Sequence, residues 1–159
     1  MKTLASETKV IDGREFRIGR LNLFDALHVV RTISPLLPSL FGQVLQDLII
    51  LFQNSKDEET ATDEDRLAEF YPLIQSLEPL LLNVAYMPRA SFESVIRTCL
   101  TAVEIHQGKI YSPVVVNDQL MFADLDIATI MQLVLTVITR EIRPITAVLV
   151  KQQDGNTAE

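Results

Sequence analysis

The chain has 159 residues, a formal net charge of −7 and one cysteine, Cys99. This length is typical of a single domain, and one cysteine excludes an intramolecular disulfide. The acidic balance argues against a nucleic-acid-binding protein, which would carry a basic patch. The longest uncharged runs, residues 32–46 and 127–139, are shorter than the ~18 residues of a membrane span. We therefore expect neither nucleic acid nor a membrane as partner.

Aliphatic residues are unusually abundant. Leu, Ile and Val supply 50 of the 159 residues, tryptophan is absent, and the mean hydropathy is +0.21. Such a surplus has two interpretations: a well-filled aliphatic core, or apolar surface that is kept for a partner. Composition leaves both open.

The first predicted element is a β-hairpin over about residues 8–19. Asp12-Gly13 is a turn pair that tolerates positive φ at both central positions. In this register Ile11, Phe16 and Ile18 share one face of the hairpin. A hairpin alone is marginal, so we expect it to lie on the rest of the chain.

Two helices follow, each marked by apolar spacing of three and four. The first begins after Asn22 as N-cap, and Ser34-Pro35 starts the second. The stripe predicted to face inward on the first helix is Leu23, Ala26, Leu27, Val30 and Ile33. The stripe on the second is Leu37, Leu40, Phe41, Val44, Leu45, Leu48, Ile49 and Phe52.

An acidic segment separates these helices from the rest, and we expect it to form a solvated loop over about residues 54–63. The next apolar stripe contains Pro72 and Pro79, which predict a kink or two short helices. A fourth helix should run to a stop at Gly108. Its inward stripe is predicted to be Phe92, Val95, Ile96, Cys99, Val103 and His106.

Residues 109–122 change character and predict a second small hairpin or an extended excursion around Asn117-Asp118. The last helix starts near Asp124 and Asp126, with Pro144 inside it. The fold class expected from these elements is mainly α: a bundle of about five helices with a small N-terminal β-hairpin. Residues 1–151 should form one domain, followed by a disordered tail at 152–159.

Residues that could carry chemistry are few. One cysteine and two histidines do not make a zinc site or a catalytic triad, and the scattered glycines form no phosphate-binding motif. We expect no enzyme activity, cofactor or metal. Arg14, Arg17 and Arg20 form a basic cluster, which fits either an acidic partner or a charged strand edge that blocks strand pairing.

Three segments carry a resemblance to a known family. Ile11-Asp12-Gly13-Arg14-Glu15-Phe16-Arg17-Ile18-Gly19-Arg20-Leu21 leads into Phe24-Asp25-Ala26-Leu27-His28-Val29-Val30-Arg31 and Ser34-Pro35-Leu36-Leu37-Pro38. Looser support comes from Phe92-Glu93-Ser94-Val95-Ile96, from Leu120-Met121-Phe122-Ala123-Asp124 and from the aliphatic helix to Arg143. Over residues 10–38 and 92–143 the chain resembles the tail assembly chaperones of tailed bacteriophages and prophages.

This resemblance implies a late protein of the host bacterial cytoplasm that binds the tape measure protein. It would keep that protein soluble until tail tube subunits polymerise, which makes the tail tube protein a further candidate partner. A homo-oligomer is also compatible with the aliphatic surplus. The alternative function is a structural tail or baseplate subunit that stays in the virion.

A chaperone of this kind needs an aliphatic groove for an amphipathic helix. The candidates lie at the end of the second helix, which is apolar all round, and beside the stripe of the last helix. The predicted protein-binding residues are Leu48, Ile49, Leu51, Phe52, Ile130, Leu133 and Val137.

Overall fold

The computed structural model describes residues 6–40 and 63–155. Two strands come first, then helices joined by a 3₁₀ turn at Ser34–Leu36, then four short strands and a long helix. The strands are β1 (Glu7–Ile11), β2 (Arg14–Ile18), β3 (Val103–Gln107), β4 (Ile110–Pro113), β5 (Val115–Val116) and β6 (Gln119–Leu120). The helices are α1 (Leu23–Ile33), α2 (Leu37–Leu40), α3 (Asp63–Tyr86), α4 (Arg89–Leu100) and α5 (Ile127–Gly155).

The N-terminal hairpin is confirmed, including its turn and its buried face. β1 and β2 pair antiparallel with Ile11 opposite Arg14. Asp12 and Gly13 have φ of 52° and 71°, the left-handed conformation that a two-residue turn of this kind requires. Phe16 and Ile18 are completely buried. The hairpin therefore lies with one face on the core, as its alternation predicts.

The predicted mainly α bundle of about five helices with only a small hairpin is wrong. β1 to β4 form a four-stranded antiparallel sheet in chain order, and β5 pairs with β6 in a second, two-stranded sheet. The strand β3 lies beside β2, with Phe16 opposite Ile105 and Ile18 opposite Val103. All the helices before β3 are thus inserted between two neighbouring strands of one sheet.

The error arises at the end of α4. This helix ends at Leu100, and Val103–Gln107 is a strand, not the last turns of a helix that stops at Gly108. Val103 lies four residues after Cys99, which fits a helix, but it also alternates with Ile105, which fits a strand. Both side chains are buried in the sheet. The β-branched pair and its partner β2 decide the outcome, and Gly108, with φ of 65°, forms the β3–β4 turn.

The second hairpin is confirmed at Asn117-Asp118. Both residues have positive φ, 49° and 60°, and they join β5 to β6, with Val116 opposite Gln119. The stretch containing Pro72 and Pro79 is one continuous helix, α3, so the alternative of two short helices is wrong.

Two other predicted segments extend beyond the residues that the structure describes. The second predicted helix is described over Leu37–Leu40, and its remainder, like the acidic segment up to residue 62, lies outside them. The helix α5 extends to Gly155, four residues into the predicted tail 152–159.

The helix α5 lies at the centre of the molecule. Every side chain from Ala128 to Ile142 is buried or half-buried, which is unusual for a helix with one stripe facing inward. Polar contacts on one side tie it to the sheet. Lys9 of β1 donates to the Thr136 hydroxyl, and Arg140 donates to the carbonyl of Ile18 in β2. One face of α5 therefore crosses the sheet.

The opposite face of α5 packs on helices. Met131, Val134 and Ile138 lie about half a turn around from Thr136 and Arg140 and face α1, α3 and α4. The Glu141 carboxylate accepts the backbone N–H of Leu21, at the start of the α1 segment. The core thus has two layers of apolar contact, with α5 shared between them.

We expect Leu133→Ala to lower the free energy of unfolding by about 2–5 kcal/mol, because Leu133 is fully buried on the central helix. Urea denaturation would measure the change. Ile127→Ala, in the same helix at a position that is 79% exposed, should change stability by less than about 0.5 kcal/mol. Equal losses for the two variants would contradict the central position of α5.

Candidate protein-binding surface

The described residues offer little for catalysis or metal binding. Within residues 6–40 and 63–155, His, Cys, Asp and Glu nowhere gather in a group of three or more able to hold a metal ion. The Cys99 thiol is buried, and burial, with a smaller effect of the Glu141 carboxylate, raises its pKa to about 12. Such a thiol stays protonated and unreactive at neutral pH. Over the same residues, no helix combines the length and the hydropathy that a membrane crossing would need.

The clearest surface feature is an apolar patch on α1. Leu23, Phe24 and Leu27, here called the α1 patch, are 69%, 80% and 56% exposed. Their spacing of one, three and four residues places them on one side of the helix. The opposite side carries Val29 and Ile33, which are buried. The helix is therefore apolar on both faces, and the core covers one of them.

The apolar spacing predicts that Leu23 and Leu27 face inward on this helix, and that prediction is wrong. Leucine at these positions fits an inward stripe by spacing alone. The true inward face is rotated toward Val29 and Ile33, because α1 meets α4 and α5 on that side. Two large apolar residues are consequently left on the surface, where isolated exposure is common but a contiguous group indicates a partner.

An open groove adjoins the α1 patch. It has a volume of about 600 Å³ and runs between α1, the end of α3 and the start of α4. His28 and Arg31, one turn after Phe24 and Leu27, lie on its wall, and Tyr86, which is 85% exposed, lies across from them. His28 is held by a hydrogen bond of 2.9 Å between its Nε2 and the Ser94 hydroxyl of α4.

An apolar cavity of about 180 Å³ lies behind the groove. Leu36 and Met87 border both spaces, so they form the wall between them. Every residue around the cavity is apolar, contributed by α1, α3, α4, α5 and the connecting turns. Met87 is the adaptable part of this wall, since methionine has three rotatable bonds and packs in many shapes. Groove and cavity together form a site suited to apolar side chains.

The basic cluster that the sequence marks is divided in the structure. Arg14 donates to the Asp124 carboxylate and lowers the pKa of that group. Arg17 forms an ion pair with Glu104 and lies over the Tyr111 ring, 4.2 Å from its centroid. Arg17 thus links β2 to β3 within the sheet, and Arg14 links β2 to the loop before α5.

The predicted binding residues fall into three groups. Leu48, Ile49, Leu51 and Phe52 lie outside the described residues. Leu133 and Val137 have no exposed surface, and Ile130 is half-buried against the core. The sheet that the sequence analysis missed covers the flank of α5 on which Leu133 and Val137 lie. None of the three residues of α5 borders the groove or the cavity.

A comparison with protein-family models identifies the family. The model described as "Phage tail assembly chaperone protein, TAC" matches residues 12–142. The chain belongs to the phage tail assembly chaperones. This confirms the resemblance seen in the sequence, and it places the chain among proteins that interact with phage tail proteins. Neither the curated proteins nor the solved structures include a match to the chain.

The match of this tail assembly chaperone begins at the turn of the first hairpin and ends at Ile142, the last residue of the enclosed stretch of α5. It therefore spans β2 to β6, the α1 patch and the groove, and leaves out β1. The groove has no motif in the sequence, because Tyr86 ends α3 and Met87 and Pro88 form the short connection to α4. The signal that could have found it is the width of the apolar surface on α1, which extends from Val29 and Ile33 to Leu27 and Phe24 and exceeds what one inward face needs.

We expect the cavity behind the groove to bind benzene, because apolar cavities of about 150 Å³ stay dry and take up such molecules. Benzene should raise the melting temperature of the protein by mass action. Methyl ¹H–¹³C spectra should show shifts concentrated at Val95, Val134 and Ile138. Shifts spread evenly over the core, or none at saturating benzene, would show that no such cavity exists.

Proposed function

We propose that the chain binds the tape measure protein of a phage tail and keeps it soluble in the host cytoplasm until tail tube subunits assemble around it. The family membership supports a role in tail assembly. The single observation that carries the finer proposal is the α1 patch, three large apolar side chains that stand in solvent beside an open groove.

An amphipathic helix fits this surface by ordinary packing. Such a helix presents apolar residues at positions i, i+3, i+4 and i+7 and docks them in a hydrophobic groove. Each Å² of apolar surface that leaves water contributes about 25 cal/mol. A specific interface of standard size removes about 800 Å² from each partner. The α1 patch and the groove together offer a surface for a helix of several turns.

Loose sequence requirements suit a chaperone for a long helical protein. Burial of aliphatic side chains is non-directional, so many segments with the same apolar spacing can bind in turn. Met87 allows the groove wall to adapt to side chains of different shape. The net charge of −7 keeps the coated complexes apart by mutual repulsion. Binding, with no chemical step, is sufficient for this role.

The binding residues predicted from the sequence have different places in the proposal. Leu48, Ile49, Leu51 and Phe52 lie outside the described residues and stay candidates from their sequence pattern alone. Leu133 and Val137 could bind a partner only if α5 moved away from the sheet, so their first role is in the core. Ile130, half-buried, supports the core beside them.

Co-expression with the long helical product of the neighbouring tail gene tests the proposal. We expect that product to be mostly soluble with the chain and mostly insoluble without it, and the two to co-purify. Leu27→Gln should reduce the soluble fraction several-fold, because it places an amide in the apolar patch. The Leu27 side chain is 56% exposed, so the variant should remain folded.

Ile110→Gln is the matched control, since it removes an equally exposed aliphatic side chain (64%) from the distant strand β4. It should leave co-purification unchanged. A long helical product that is equally soluble alone would contradict the proposal. Presence of the chain in purified virions would favour the alternative, a structural tail or baseplate subunit.

A further inference from the structure

Among the residues that the structure describes, the groove has basic side chains and no acidic ones. His28 and Arg31 are the basic residues that line it, and neither Asp nor Glu is among the lining residues. This contrasts with the chain as a whole, which has 21 acidic and 14 basic residues. The groove is therefore a locally basic site on an acidic protein.

Arg31 also differs from most of the other arginines that the structure describes. Most arginines whose side chains the structure describes form ion pairs or hydrogen bonds, as Arg14 does with Asp124 and Arg89 with Glu93. Within the described residues, Arg31 and Arg20 form no ion pair, and both are exposed. They flank the α1 patch: Arg20 precedes Leu23 by three residues, and Arg31 follows Leu27 by one helical turn.

We propose that the α1 surface, meaning the α1 patch with its groove, selects one kind of partner: an amphipathic helix whose apolar stripe is flanked by acidic side chains. This rests on the proposed function and specifies the segments of the partner that are bound. The apolar part of the stripe packs on Leu23, Phe24 and Leu27. Carboxylates at its ends pair with Arg20 and Arg31.

The spacing of the two arginines fixes the spacing of the acids. Leu23 and Arg31 are eight residues apart on α1, which corresponds to about 12 Å along the helix axis. Arg20 lies a further three residues before Leu23. A helix that docks alongside α1 would therefore carry its two acidic positions two to three turns apart, with leucine-like residues between them.

The rest of the chain carries more acidic than basic residues, and this increases the preference of an acidic helix for the groove over other surfaces. At physiological ionic strength the Debye length is about 8 Å, so charges distant from the groove contribute little to a docked helix. They still disfavour an acidic segment anywhere else on the surface. Electrostatic complementarity then sets position and orientation, while the apolar patch supplies most of the affinity.

Two synthetic helical peptides of 18 residues test the inference. Both carry the same leucine stripe, flanked in one by glutamates and in the other by lysines. Fluorescence anisotropy at 0.15 M salt should show that the glutamate peptide binds about tenfold more tightly. Arg31→Glu should abolish or reverse this preference, and Arg20→Glu should reduce it.

Lys109→Glu is the matched control, because it makes the same change in net charge at an exposed turn between β3 and β4. It should leave the preference intact. Leu27→Gln should weaken both peptides equally. Equal binding of the two peptides by the unchanged protein, or equal effects of Arg31→Glu and Lys109→Glu, would overturn the inference.

The peptide experiment and the co-expression experiment fail independently. A glutamate preference that depends on Arg31, together with a tail-gene product that is soluble alone, would retain the inference and reject the chaperone function. In the opposite case, the chain makes the tail-gene product soluble, Leu27→Gln abolishes this effect, and the two peptides bind equally. That result would retain the function and reject the acidic selection.

Discussion

The burial or half-burial of α5 from Ala128 to Ile142 is the constraint on which the rest of this structure depends. A helix that is enclosed from Ala128 to Ile142 needs two apolar layers around it. The four-stranded sheet supplies one layer through Phe16, Ile18 and Val103. The helices α1, α3 and α4 supply the other. The strands β2 and β3 are adjacent although the helices α1 to α4 lie between them in sequence, so α5 contacts both layers.

The position of α5 also explains why α1 has an uncovered apolar face. The helix α1 contacts α4 and α5 through Val29 and Ile33, and no described element covers its outer side. Leu23, Phe24 and Leu27 therefore remain exposed to solvent. The groove lies between α1, the end of α3 and the start of α4, and the apolar cavity adjoins it. An exposed apolar surface thus follows from the way the core is built.

The sequence predicts much of this fold where the signal is local, and fails where it depends on distant pairing. The turns Asp12-Gly13 and Asn117-Asp118 and the start of α5 follow from short motifs. The strand β3 could not be predicted, because Val103 satisfies helical and strand spacing equally and only its pairing with β2, 85 residues earlier, decides. Missing that sheet led to the prediction of Leu133 and Val137 as groove residues. The groove itself depends on which face of α1 turns inward, and that too is settled by tertiary contacts.

Hydrogen–deuterium exchange of the chain, alone and with the long helical product of the neighbouring tail gene, tests the central claim most directly. The claim is that α1 presents an uncovered face to which a helix binds. The account predicts added protection at residues 23–33 and 83–91, where α1 and the groove lie, with little change at residues 107–113 in the β3–β4 hairpin. Protection confined to that hairpin or to the sheet edges, with none at α1, would contradict it.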